Sequence, residues 1–133
     1  MKRYWLFLMP LVVSLATAAE RSRDLGVPFE GKPGAWNAIT DVKGIEVGYR
    51  TLIAGAGTKA VRTGVTAVFP RGKNSDNPAF GGWFSLNGNG EMTGTTWLEE
   101  GGLLSGPVLI TNTHSVGTVR DSFIRQVLHK YGR

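Results

Sequence analysis

Two short runs decide most of what this chain can become. Val65-Thr66-Ala67-Val68-Phe69 and Pro107-Val108-Leu109-Ile110-Thr111 are apolar at nearly every position. Neither shows the alternation of a strand with one wet face, so both read as strands buried on both faces, which need a layer on each side of their sheet. Downstream of Thr118 the sequence offers one amphipathic helix, in which Val119, Phe123, Ile124, Val127, Leu128 and Tyr131 recur at helical spacing. A single helix covers a single face. The expectation is a sheet that these 133 residues leave half-clothed, as in the N-terminal part of a longer, truncated protein.

The other elements follow from local pattern. Ile45, Val47, Tyr49, Thr51 and Ile53 alternate with Glu46, Gly48, Arg50 and Leu52, the period of a strand with one buried face, and Gly55-Ala56-Gly57 closes it as a turn. Pro70 stops the strand at 65–69, a polar loop follows, and Gly82-Trp83-Phe84-Ser85-Leu86 reads as a further strand. Trp97 to Glu100 reads as a short helical turn ended by Gly101-Gly102, with Glu99 and Glu100 facing solvent. Thr118 and Asp121 form a capping pair ahead of the long helix, and Gly132 is its stop. Residues 21–36 carry Gly26, Pro28, Gly31, Pro33 and Gly34 and read as an extended lead-in pinned by Leu25, Val27 and Phe29. Strands first and a helix last make this α+β rather than a βαβ series.

The first residues are set aside. Lys2 and Arg3, an apolar run from Tyr4 to Ala16, and Ala16-Thr17-Ala18-Ala19 are the three parts of a secretory signal peptide over residues 1–18, cut after Ala18 or Ala19. The run is too short, and too interrupted by Pro10, to span a bilayer. A periplasmic or secreted product with no membrane attachment after cleavage is expected, and residues 19–133 form its domain. Cleavage removes two positive charges from a calculated +5, and the remaining Lys and Arg are scattered among acids. That pattern excludes a nucleic-acid face, which needs a basic stripe. Without cysteine and with two histidines, the chain offers no thiolate nucleophile and no metal site. No cofactor motif occurs: Gly88-x-Gly90-x-x-x-Gly94 misses the dinucleotide spacing.

Two segments at strand ends are dense in hydrogen-bonding residues. In Asn87-Gly88-Asn89-Gly90-Glu91-Met92-Thr93-Gly94 the glycines let backbone approach a ligand, and Glu91 is a lone carboxylate among neutral donors, suited to an ammonium group. The same residues also read as an Asn-Gly hairpin turn with no function. In Thr111-Asn112-Thr113-His114-Ser115-Val116-Gly117 a polar run continues an apolar strand, and Asn112 with the hydroxyls of Thr111 and Thr113 can line a pocket. His114 lacks a nucleophile elbow and an orienting Asp, so it reads as packed or hydrogen-bonded rather than catalytic. His129 suits the last turn of the helix.

Arg23-Asp24-Leu25-Gly26, Gly34-x-x-Asn37-Ala38-Ile39-Thr40-Asp41-Val42-x-Gly44-Ile45-x-Val47-Gly48, Arg62-Thr63-Gly64-Val65-Thr66 and the two polar segments occur in this order. Together they resemble the start of the L-aminopeptidase/D-esterase and β-peptidyl aminopeptidase family of self-processing serine hydrolases. The resemblance implies a four-layer α/β/β/α sandwich similar to N-terminal-nucleophile hydrolases. It implies a precursor that cuts itself at a Gly-Ser bond and a new N-terminal serine that attacks an amide or ester beside a free amino end. It also implies a homo-oligomer at full length. This chain contains no Gly-Ser dipeptide, so no catalytic residue is assigned, and the missing C-terminal chain is expected to supply it. By the same resemblance Glu91, Asn87 and Asn89 lie near the substrate amine, and Asn112 and Thr113 line the cleft. Substrates are peptides or amino-acid amides and esters. A non-catalytic periplasmic module binding amino-containing ligands is the alternative.

Overall fold

Sheet formation begins in a hairpin whose register is set by side-chain alternation. The structure, a computed structural model, describes residues 20–132. The expected signal peptide lies outside the described residues. The chain separates into two units, residues 1–32 and 33–133, each considered on its own.

In the first unit, residues 20–32 fold on themselves around Arg23. Its guanidinium donates to the carbonyls of Phe29 and Glu30 at 3.2 and 3.1 Å and lies 5.2 Å from the centroid of the Phe29 ring. Asp24 accepts the backbone N–H of Arg21 at 2.9 Å. The Arg23-Asp24-Leu25-Gly26 block is thus a self-closing turn. Leu25, Val27 and Phe29 do not pin the segment as expected; all three are exposed. Short polar reach to nearby carbonyls does the holding instead.

The second unit contains strands β1 (Glu46–Ala54), β2 (Val61–Phe69) and β3 (Ala79–Phe80), helix α1 (Thr95–Gly101), strands β4 (Leu103–Leu104) and β5 (Val108–Thr111), and helix α2 (Val116–Lys130). β1 and β2 pair antiparallel from Glu46↔Phe69 to Ala54↔Val61, and β5 pairs antiparallel with β2 from Val65↔Thr111 to Val68↔Val108. The order is β1-β2-β5, with β3-β4 as a separate two-stranded sheet. The mixture of antiparallel sheets and helices agrees with the α+β expectation.

Individual residues explain the quoted blocks. Asp41 accepts the N–H of Trp36 at 2.9 Å and of Ala38 at 3.1 Å, closing a loop in which Asn37 adopts φ 46°. A Cβ at Gly34 would lie 2.6 Å from the Asp41 Cγ, so this approach requires glycine. Gly64 is required for a second reason: a Cβ there would meet the Arg50 carbonyl oxygen. Arg62 donates to the carbonyls of Ala54 at 2.8 Å and Val61 at 2.7 Å, fastening the turn end of the hairpin.

Three expectations are corrected. Gly82–Leu86 is not a strand; pairing ends after Ala79–Phe80, and Gly81 donates to the Gly102 carbonyl as the chain departs. Two adjacent glycines bring backbone entropy and no side chains to pack, and here they end the strand. The capping pair does not form either. Ser115 is the N-cap, with no side-chain cap, while Asp121 pairs with Arg125 one turn on at 2.8 Å. Gly132 does sit at the helix end, with φ 70°.

The third correction concerns β2 and β5, which are not buried on both faces. Leu109 and Thr111 are half-buried on the side where α2 packs, with Phe123 3.8 Å from a Cβ built on Gly106. The opposite face carries Val47, Tyr49, Ile53, Val108 and Ile110; the side of β1 expected to be buried is thus open, with Tyr49 79% and Ile53 69% exposed, because no element packs on it among the described residues. No described residue is fully buried. The isolated chain is therefore expected to bind an apolar dye such as ANS under native conditions. A dye-silent monomer with a sharp, reversible unfolding transition would contradict the open face.

The loop between β2 and β3 is latched at both ends. Glu46 accepts the Lys73 N–H at 3.1 Å, and Asp76 Oδ1 accepts from the Tyr131 hydroxyl at 3.0 Å and from Lys130 Nζ at 3.3 Å. The Tyr131 hydrogen bond, then the Lys130 hydrogen bond and charge, hold the Asp76 carboxyl below its usual range. The hydrogen bond to Asp76, then its charge, raise the Lys130 ammonium. A depressed acid contributes above its unfolded pKa and loses that contribution as pH falls. A raised base contributes below its unfolded pKa and loses it as pH rises through the folded one. The latch should hold through neutral pH and release in acid and in strong alkali. Amide shifts of Tyr131 and Gly132 across a pH series check this, and an Asp76→Asn chain should lack the acid step.

Candidate functional site

The polar segment after β5 is organised by Asn112. Its carboxamide nitrogen donates to Thr63 Oγ1 at 2.6 Å and to Ser115 Oγ at 2.9 Å, while Thr111 Oγ1 donates to the Gly64 carbonyl at 2.8 Å. Asn112 stands at the end of β5, just before the short 3-10 turn Thr113–Ser115 that leads into α2. A strand end, its neighbour β2 and the start of a helix are joined by one side chain. Thr113 and His114 lie in that turn and are exposed. His114 makes no hydrogen bond among the described residues, so the expected packing or pairing of this ring is corrected.

Asn87, Asn89 and Glu91 occupy an irregular exposed stretch between β3 and α1. Asn87 Oδ1 accepts the Asn89 N–H at 2.9 Å, and Ser85 Oγ donates to the Asn87 carbonyl at 3.2 Å. No strand flanks the two Asn-Gly steps on either side, so they are not a hairpin turn. Glu91 makes no hydrogen bond or ion pair among the described residues and stands in water as a free carboxylate. Gly94, with φ 83°, turns the chain into α1. Beside this stretch, Trp83, Phe84, Leu98 and Glu99 line a shallow groove floored by Gly81, Gly82 and Gly102.

The five candidate residues stand on two stretches of chain, the start of the turn before α2 and the irregular segment before α1. One holds Asn112 and Thr113, the other Asn87, Asn89 and Glu91, and no hydrogen bond joins them among the described residues. Sequence reasoning missed Thr63 and Ser115 as partners of Asn112. Both lie inside quoted blocks, yet a hydroxyl 49 positions away in sequence becomes a partner only once the β2–β5 register is known. Chemically, the Asn112 stretch offers an amide fixed by two hydroxyls beside the exposed Thr113, and the Glu91 stretch a carboxylate among glycines, which suits a cation.

This arrangement of an antiparallel sheet, a helix on one face and polar strand ends has counterparts among peptidases. The profile of peptidase family S58 matches residues 37–133, and the chain belongs to that family. It is 60% identical over 121 residues to the beta-peptidyl aminopeptidase BapA of Sphingosinicella microcystinivorans, covering 86% of this chain and 31% of that protein. It is 45% identical over 136 residues to the beta-peptidyl aminopeptidase BapA of Sphingosinicella xenopeptidilytica, covering 92% of this chain and 34% of the relative. The crystal structure of the PH0078 protein from Pyrococcus horikoshii OT3 superimposes with a TM-score of 0.74 at 37% identity, over 84% of this chain and 33% of the other. The chain therefore spans about a third of the length of the relatives it matches.

Replacing Thr63 with valine keeps shape and removes the Asn112 partner. A loss of about 1 kcal/mol, the usual net worth of one hydrogen bond, is expected in urea unfolding, together with broadened Asn112 side-chain amide resonances. Unchanged resonances in Thr63→Val would mean that Ser115 alone fixes the amide.

Proposed function

We propose that these residues form the amine-recognising part of a serine aminopeptidase, a hydrolase of amides or esters beside a free amino terminus. The observation that carries this reading is the 60% identity to a beta-peptidyl aminopeptidase over most of the chain. The nucleophile is an N-terminal serine freed by self-cleavage of a Gly-Ser bond outside this sequence, which contains no such dipeptide. The remaining polypeptide supplies that serine and completes a four-layer α/β/β/α sandwich over the open face of β1-β2-β5. The signal sequence at 1–18 directs the protein to the periplasm or outside, and the full-length form is a homo-oligomer.

In this mechanism the serine hydroxyl attacks the substrate carbonyl while the serine's own amino group takes the proton. The oxyanion that develops is held by donors on the completed protein, and the amine or alcohol leaves with a proton. Water then releases the acyl group and restores the serine. Glu91 holds the substrate ammonium, with Asn87 and Asn89 hydrogen-bonding around it, and Asn112 and Thr113 line the cleft. The support is chemical: Glu91 is exposed, makes no hydrogen bond or ion pair among the described residues and stands among glycines. No metal or cofactor takes part, and the substrate is a peptide, amide or ester with a free amine.

The test is a chimera in which residues 20–133 replace the matching third of the Sphingosinicella microcystinivorans protein. The chimera should process itself and hydrolyse a β-amino-acid p-nitroanilide, while the 133-residue chain alone stays silent. Glu91→Gln in the chimera should raise KM roughly tenfold or more with a smaller change in kcat, the worth of a hydrogen bond to a charged group. Hydrolysis by the isolated chain, or a folded and processed chimera without activity, would end this reading.

A further inference from the structure

Six asparagines occur in the chain, and four are protected from attack by their own backbone. An asparagine side chain is lost when the nitrogen of the next residue reaches its carboxamide carbon, which makes asparagine a thermolabile residue. After Asn37, the Ala38 N–H is held by Asp41 at 3.1 Å. After Asn74, the Ser75 N–H is held by the Gly72 carbonyl at 3.3 Å. Pro78 follows Asn77 and has no N–H to lose. Asn112 has its carboxamide fixed by Thr63 and Ser115, and a β-branched residue follows it.

Asn87 and Asn89 differ on every count. Glycine follows each, both steps are exposed and outside helix or strand, and a Cβ built on Gly88 or Gly90 meets nothing within 4 Å. Neither glycine nitrogen is hydrogen-bonded among the described residues. The two are not equal, because Asn87 Oδ1 is engaged by the Asn89 N–H at 2.9 Å, a bond that must break before the carboxamide can rotate. The Asn89 carboxamide has no such restraint.

We propose that the Asn89–Gly90 step, and more slowly the Asn87–Gly88 step, is a site of spontaneous self-modification that converts asparagine to aspartate and isoaspartate. The Gly90 nitrogen gives its proton to solvent base and bonds to the Asn89 Cγ. The Cγ–Nδ2 bond breaks, and the amide nitrogen leaves as ammonia carrying a proton from solvent. The resulting five-membered imide is then opened by water at either carbonyl. Opening at the backbone carbonyl leaves isoaspartate, and opening at Cγ leaves aspartate. Water and base are the only co-reactants, and nothing is oxidised. Each event adds a carboxylate, ionised at neutral pH, two or four residues before Glu91. An effect of that charge on amine binding rests on the proposed function; the modification does not.

The test is a mass measurement on the purified full chain held for weeks at mildly alkaline pH, with fragmentation that separates isoaspartate from aspartate. Asn89 should exchange its amide for a hydroxyl first, Asn87 later, and Asn37, Asn74 and Asn112 should stay intact over the same period. Unfolding in urea should bring Asn87 to the rate of Asn89, since their local sequences match. Gly90→Val should slow the Asn89 event roughly tenfold by removing backbone freedom. An unmodified loop, earlier loss at Asn74 or Asn112, or equal rates at Asn87 and Asn89 in the folded chain would overturn the proposal.

Discussion

The structure depends on the backbone ladder between β1 and β2. Nine residues on each strand pair in one register, and that register decides which side chains meet α2 and which face open space. A slip of one residue would turn Tyr49 and Ile53 toward the helix and Arg50 toward the bare face. With no described residue fully buried, apolar packing contributes less here than in a domain with a buried core. Hydrogen bonding between main chains carries a larger share of the order. The glycine at 64 and the guanidinium of Arg62 both serve that ladder, one by letting strands approach and the other by binding carbonyls where the hairpin turns.

Much of the fold was legible because local periodicity marks the type and position of an element, although the β1 face expected to be buried stands open. The alternation from Ile45 to Ile53 placed β1 within a residue, and the helical spacing from Val119 to Tyr131 placed α2, although the helix starts earlier, at Val116. Where the reading failed, the deciding contact was absent from the local pattern. Trp83, Phe84 and Leu86 look like strand residues, yet a strand exists only where a partner offers its edge, and β4 offers two residues. Two-sided burial of β2 and β5 was inferred from apolar character, which records what a strand suits and not what lies against it.

The candidate site was legible in part for the same reason. Glu91 announces itself as one charge among glycines, and its exposure needed no tertiary information. Asn112 was chosen for its place at a strand end, but its role as a tie between β2 and the turn before α2 depends on Thr63, which only strand pairing brings close. The two residue groups that sequence reasoning gathered into one cleft lie on different stretches of chain, with no hydrogen bond between them among the described residues. Their union belongs to the proposed complete protein.

The ladder also orders events in time. β1 and β2 are joined by a short turn, whereas β5 lies well downstream of β2 in the chain. A hairpin of this kind zips within microseconds, ahead of contacts that close longer loops. β1 and β2 can therefore pair before β5 closes the much longer loop back to β2, leaving β2 to wait with one edge bare. Until Val108–Thr111 dock, that edge offers unpaired main-chain groups to any other strand, so the span from 70 to 107 sets how long the folding chain stays open to pairing with neighbours.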